Sequence, residues 1–402
     1  MSLPALRFKD DGGDFPDWEE KTMGDIFTFI QTNSFSRELL SYETGIVKNI
    51  HYGDIHTKFK SNFKIENENV PFIKPNVDLS KISTDCYCKE GDLVIADASE
   101  DYADVGKAIE IISLGNQKLL SGLHTYIARD LSKQMSLGFS GYLMQTGNVR
   151  LQIKTLATGV SVLGISKGNL TKVKLNIPTK PEQTKIANFL TAVDEKISHL
   201  TQKHGLLTQY KKGVMQQIFS RELRFKDDDG QDFPEWEENL LGRVAEITTG
   251  SSNRVDSTVD DGAYAFFDRS QDIRTSDVYL FDCEAVIVAG EGQEFIPKHF
   301  VGKFDLHQRT YAIMGFKGID GKFLFYFVYQ YRSYFLSQAV GSTVKSLRLP
   351  MFQKMPVEIP CLKEQTKIAN FLTAIDDKIT NTQTQLQAVK QYKQGLLQQM
   401  FV

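Results

Sequence analysis

Cysteine is scarce in this chain, with four residues at positions 86, 88, 283 and 361. The one close pair, Cys86 and Cys88, has no second pair to complete a tetrahedral zinc site, so reduced cytoplasmic thiols are expected. Long apolar runs are also missing. The longest, Phe323 to Tyr329, falls far short of the roughly 18 residues a membrane helix needs, and the N-terminus has no apolar signal core. A soluble, unexported, cytoplasmic protein without membrane contact is expected. No charge of one sign dominates: the formal net charge is -3, so composition alone does not announce a nucleic-acid binder. Catalytic signatures are absent too. There is no Gly-x4-Gly-Lys-Ser/Thr phosphate loop, no Asn/Asp-Pro-Pro-Tyr/Phe adenine-methylation motif and no Gly-rich cofactor loop. Glu195 and Lys196 echo part of a nuclease motif but fall inside a helical pattern. A non-catalytic chain with no cofactor and no metal is expected.

What the chain does have is local and duplicated. Between Asp130 and Glu182 there is no acidic residue, yet Lys133, Arg150, Lys154, Lys167, Lys172, Lys174 and Lys180 fall there. Between Asp320 and Glu358 the only charges are Lys322, Arg332, Lys345, Arg348 and Lys354. The chain's 402 residues exceed what one core comfortably serves, so two domains are expected. Self-similarity divides it accordingly. Leu6-Arg-Phe-Lys-Asp-Asp and Asp14 to Glu20 return as Leu223-Arg-Phe-Lys-Asp-Asp and Asp232 to Glu238. Ala157-x-Gly159 through Ile177-Pro178 returns as Ala339-x-Gly341 through Ile359-Pro360. Glu182-Gln-Thr-Lys-Ile-Ala-Asn-Phe-Leu-Thr-Ala192 returns intact as Glu364 to Ala374. The offset falls from 217 or 218 to 182, so the second half has lost about 35 residues from its middle. One frame carrying two different variable modules is the implied design.

From Glu182 to Phe219 apolar residues recur every seven positions at Ile186, Val193, Leu200, Leu207 and Val214, with companions at Leu190, Ile197 and Ile218. The second copy has Ile368, Ile375, Val389 and Leu396 with Leu372, Ile379, Leu386 and Met400. This is a coiled-coil stripe, unbroken by proline, and each helix should run roughly 57 Å. Thr179, Pro181 and Glu182 fit a capping box with proline in the first turn. The second variable module connects the end of one helix to the start of the other. A module of that size has a radius of gyration near 14 Å, too small to bridge a helix length, so antiparallel helices with a module at each end are expected. Polar breaks at His204, Lys211, Thr382 and Lys393 can set register, face a third partner or mark a hydrated kink. Gln209, Gln216, Gln217, Gln391, Gln398 and Gln399 form a polar flank, either solvated or available to other subunits.

The middles mix strand-like runs with turn residues: Asp92 to Ala96, Thr125 to Ala128, Ala285 to Ala289 and Thr310 to Ile313. A helix over Phe323 to Phe335 is dense in aromatics, which at that spacing more often form core than stack on bases. The Ala-x-Gly segments lie in the acid-free stretches, where small residues let a backbone approach a phosphate and Lys154, Lys167, Lys172 and Lys345 supply charge. Ser161, Ser342 and Thr343 are candidate phosphate donors. Arg254, Arg269 and Arg348 have the fork that suits a guanine edge. His51-Tyr-Gly-Asp-Ile55 is a candidate recognition loop or an ordinary turn.

Taken together, Trp18 and Trp236 near each module's start, Ala-x-Gly, Ile-Pro, and the twice-used Glu-Gln-x-Lys-Ile-Ala-x-Phe-Leu with Asp-x-Lys-Ile resemble the HsdS family of type I restriction-modification specificity subunits over essentially the whole chain. The first copy departs from the family's Gly-Ser/Thr pattern at Gly159-Val160-Ser161. The resemblance implies an α+β fold of two mixed target-recognition domains separated by two antiparallel coiled-coil helices. The corresponding segments are 1–180, 181–220, 221–360 and 361–402. It implies a double-stranded DNA ligand read in two halves and two methyltransferase (HsdM) subunits docked on the helices. Motor-nuclease (HsdR) subunits complete a holoenzyme. A self-contained modifying enzyme or a scaffold without DNA function are the competing classes.

Overall fold

The computed structural model describes residues 4–10, 12–253 and 260–401. These form two compact units, Met1–Leu200 with Gln385–Val402, and Thr201–Thr384. Each long helix, Lys180–Phe219 and Leu362–Met400, therefore contributes to both units. The heptad stripe explains why. In the first unit Ile186, Leu190 and Val193, from the start of one helix, share a core with Leu396 and Met400 from the end of the other. In the second unit the roles reverse, and Val214 and Ile218 meet Ile368, Leu372 and Ile375. The start of each helix beside the end of its mate is antiparallel pairing. Each such aliphatic side chain buried contributes about 1.5–3 kcal/mol. No described helix is long and apolar enough to cross a membrane.

The expected capping box does not form. Thr179 Oγ1 is buried without a partner, and Glu182 turns instead to Arg7 with contacts of 3.0 and 2.8 Å. A bidentate guanidinium pair is stronger than one bond back to a backbone N–H.

Each unit is built on a twisted mixed sheet of matching order. In the first, Thr28–Ile30, Thr125–Arg129, Leu93–Ala96 and Ala108–Ser113 pair antiparallel, and Asn62–Lys64 closes the edge in parallel. In the second, Glu246–Thr249, Thr310–Met314, Phe281–Ala289 and Lys298–Leu306 repeat that order, with Tyr264–Phe267 parallel and Arg274–Ser276 added outside. The first unit carries in addition a four-stranded sheet of Lys118–Ser121, Val47–Ile50, Phe72–Ile73 and Leu40–Ser41. No second copy of that sheet is seen among the described residues, which is where the shorter middle is felt.

The aromatic run over Phe323 to Phe335 forms two helices, Gly321–Gln330 and Ser333–Gln338. Phe323, Tyr326, Phe327 and Phe335 are buried in the second core, so these rings are packing and not a stacking platform.

Candidate nucleic-acid interface

The duplicated motif residues hold the frame together. Arg7 pairs with Glu182 and also donates to the carbonyls of Phe15 and Pro16; Arg224 pairs with Glu364 and donates to those of Phe233 and Pro234. The Gln183 amide accepts from the Ser136 N–H and donates to Pro178 O, as Gln365 does with Asp320 and Pro360. Tyr142 donates to Asp194 at 2.8 Å, and Lys393 sits over its ring while pairing with the same aspartate. Tyr326, Asp376 and Lys211 repeat that triad. Two of the polar breaks, Lys211 and Lys393, are thus ion-paired within a unit. Thr382 is satisfied by its own helix, donating to Lys378 O at 2.7 Å. The Glu-Gln signature is structural.

A polar surface is built where strands of each sheet end. In the second unit, His307 N donates to Phe267 O, Gly290 N to Arg309 O and Leu347 N to Gly290 O, so four segments are tied together. Glu291–Gly292 pairs with Lys345–Ser346, one leg of the hairpin whose turn is Gly341-Ser342-Thr343-Val344. Gly341 has φ +114, and a Cβ there would collide with the Val344 carbonyl oxygen. The glycine is demanded by closure of the hairpin. Between the strand ends lies a cavity of about 300 Å³ lined by Asp268, Arg269, Glu291, His307, Gln308 and Arg309, with Thr310 beside them. Arg309 Nη1 is 2.7 Å from Glu291 Oε1 and is 63% exposed.

The first unit uses the same backbone with other side chains. Asp97 N donates to His124 O and Ile165 N to Asp97 O, matching the Gly290, Arg309 and Leu347 connections. Ala98–Ser99 pairs with Leu163–Gly164 of the hairpin whose tip is Val160-Ser161-Val162. Gly159 has φ +132 and faces the same obstruction, from Val162. His124 Nδ1 lies 3.2 Å from Asp97 Oδ1, and burial raises the Asp97 carboxyl above its ordinary range. Tyr52 packs edge-on to His124 and stacks on His51. The stretch from His51 to Ile55 is not a loop: His51 accepts from Gly53 N and starts the helix Tyr52–Thr57. Asp54 in that helix is buried against Arg37 and Lys58. Its burial alone would raise the carboxyl, but the two cations outweigh it and hold it below the usual value. For His51, burial and then the Arg37 charge lower the imidazole.

The residues singled out from sequence divide into four groups. Ser161, Ser342 and Thr343 are exposed at hairpin tips, and Lys345 and Arg269 flank the second unit's strand-end surface. Arg348 is exposed at the cap of the short helix Leu349–Gln353. Lys154 lies over the Tyr102 ring and Lys167 over Phe29, while exposed Lys172 belongs to the turn leading into the strand Lys174–Ile177. Arg254 lies outside the described residues. Sequence reasoning missed His124, Asp97, Glu291, Gln308 and Arg309. One signal was available: His124 and Arg309 each directly precede a Thr-Tyr pair, Thr125-Tyr126 and Thr310-Tyr311, that opens an equivalent strand.

Two non-identical modules on one duplicated frame, each presenting a hairpin tip beside a polar strand-end surface, are the class of protein this fold and site define. The chain belongs to the family of the type I restriction modification DNA specificity domain, whose model matches it twice, over residues 16–209 and 234–391. It is 30% identical to the EcoDI specificity subunit of Escherichia coli over 40% of this chain and 37% of that one. With the MjaVIII specificity subunit of Methanocaldococcus jannaschii it shares 23% identity over 61% of this chain and 65% of that one. These two matches thus span about a third and just under two thirds of the relatives' lengths. With the putative MjaX specificity subunit of the same organism, identity is 22% over 96% and 93% of the chains. The crystal structure of the type I S subunit from M. genitalium superposes with a TM-score of 0.66 at 14% identity, covering 100% of this chain and 99% of that one, a likeness of fold.

Proposed function

We propose that this chain is the non-catalytic subunit that gives a type I restriction-modification complex its DNA sequence specificity, working in the cytoplasm without a cofactor. Each module reads one half of a split double-stranded site. The long helices set the distance between halves and dock two methyltransferase subunits, and motor-nuclease subunits join the restriction-competent complex. The observation that carries this reading is the twofold family match on a frame duplicated nearly bond for bond, with different side chains at the equivalent strand ends. The exposed Gln209, Gln216, Gln217, Gln391, Gln398 and Gln399 support docking on the helices. The DNA-contacting set comprises Lys154, Ser161, Lys167, Lys172, Arg254, Arg269, Ser342, Thr343, Lys345 and Arg348. Lysines and hydroxyls hold phosphates; arginines address base edges.

The test is to map methylated adenines in cells expressing the chain with its partner methyltransferase. A bipartite motif with a fixed gap is expected. Matched one-heptad insertions near Leu200 and Thr382 should lengthen the gap by roughly three base pairs, since each adds about 10 Å, while both half-sites stay the same. A motif without a gap, or modification by the purified chain alone, overturns the reading.

A further inference from the structure

We propose that Arg309 in the second unit and His124 in the first are equivalent specificity-determining positions. Each is aimed by a neighbouring carboxylate, Glu291 or Asp97, and together they make one frame read two different sequences. The inference rests on the proposed DNA-reading function.

The equivalence is geometric. Arg309 and His124 both accept a backbone N–H through their carbonyls, from Gly290 and Asp97 respectively, and each directly precedes the strand next to the sheet's centre. In both units the donor's carbonyl then receives an N–H from the hairpin's far side, Leu347 or Ile165. Each position is thus tied to the base of a hairpin whose tip residues are exposed. Both side chains are held by a carboxylate at hydrogen-bond range, 2.7 Å for Arg309 and 3.2 Å for His124, and both are substantially exposed, at 63% and 48%. An exposed side chain oriented by a carboxylate on the neighbouring segment has lost rotamer freedom while keeping polar atoms for a partner, guanidinium N–H groups in Arg309 and the second ring nitrogen in His124. His124 is further constrained, with φ at +58, a region uncommon outside glycine in which Asn, Asp and His are the residues best tolerated. The surroundings differ as two readers should. Arg309 has Arg269 and Gln308 beside it at the cavity, hydrogen-bonding groups suited to purine edges, and Arg309 fits the O6 and N7 of guanine. His124 has Tyr52 against its ring and His51 stacked beyond, a more aromatic surface. Glu291 and Asp97 are positioning residues.

The experiment is methylation mapping with the full chain and its methyltransferase subunits. Arg309→Ala should make one G·C position in one half-site degenerate, with discrimination there falling about 10- to 100-fold, and leave the other half-site intact. Arg309→Lys should remain relaxed, because an ammonium lacks the planar fork that can face Glu291 and a guanine edge together. Glu291→Ala should relax the same position, and Glu291→Gln, which keeps an acceptor for the guanidinium, should restore most of it. His124→Asn, which tolerates the left-handed backbone, should alter the preferred base in the opposite half-site. Uniformly weaker methylation with both half-sites unchanged would mean a merely structural role and overturn the proposal, as would both variants altering the same half. A wild-type chain that yields no bipartite motif defeats the functional reading itself, an outcome separable from these.

Discussion

In the first unit the helix Phe139–Leu143 begins at Gly138, which has no side chain to offer, and its free N–H groups are met by Glu110 from the neighbouring sheet, at 2.7 Å to Gly138 and 2.6 Å to Gly141. In the second unit the equivalent helix begins at Asp320, whose own carboxylate accepts from Phe323 N at 2.8 Å. One unit caps through the fold and the other through the sequence. The same division runs through the molecule. Contacts to the long helices are repeated nearly bond for bond, whereas those made toward the strand ends are shared only in backbone. Side chains that meet a duplicated helix are constrained by a common partner; those at the strand ends have no such shared partner and are free to diverge.

The comparison breaks most visibly at the buried ion pairs. Glu182 and Glu364 are both fully buried, but only Glu364 also accepts from a tryptophan, Trp236 Nε1 at 3.2 Å, while the Trp18 Nε1 has no partner. Glu364→Ala should destabilise its unit by about 3 kcal/mol or more, and Glu182→Ala should cost the first unit less. Hydrogen exchange resolved by unit measures both; equal losses would remove the distinction.

A smaller effect is expected at Glu110. Burial is the largest influence on its carboxyl and pushes it up to about 7 from an ordinary 4.5, against the lowering by its N–H donors. Because the folded value lies above the unfolded one, the contribution is fully present below about pH 4.5 and is lost as pH rises through 7. Its span is on the order of 3 kcal/mol. Glu110→Gln should flatten the pH dependence of the first unit's unfolding between those limits, and an unchanged profile would refute the assignment. At the local cap, Asp320→Ala should cost about 1 kcal/mol and Asp320→Asn much less, read by denaturant melts.

The smallest predicted change concerns the hairpin of the second unit. Lys345→Ala combined with Arg348→Ala should weaken DNA binding by the assembled complex and lower the salt slope by about one for each phosphate that is no longer neutralised. An unchanged slope would place both side chains away from the DNA backbone.

Much of the frame is legible in the order of residues alone. The seven-residue spacing from Ile186 to Val214 specifies long helices because periodicity is a local property, and the aromatics around Phe323 are core, as their density suggests. The Thr179 capping box is a local pattern that fails because Arg7, 175 residues away from Glu182, competes for that carboxylate. Among the candidate DNA-binding residues, Ser342, Thr343, Lys345 and Arg269 gather at one end of a sheet, while Lys154 and Lys167 lie over rings of their own unit.

By itself the sequence determined the duplication, the two helices, their stripes and the small residues at the hairpin turns, since each is encoded in neighbours or in an exact repeat. Tertiary structure decided that His124 and Arg309 are counterparts, a match that the Thr-Tyr pair after each marks only locally, and that a carboxylate aims each of them. Their separation in the chain is 185 residues, that of Asp97 and Gly290 is 193, and that of the hairpins is 182. No single alignment offset brings these together. Backbone hydrogen bonds between strand ends do, because sheet register is set by pairing across the fold and not by distance along the chain.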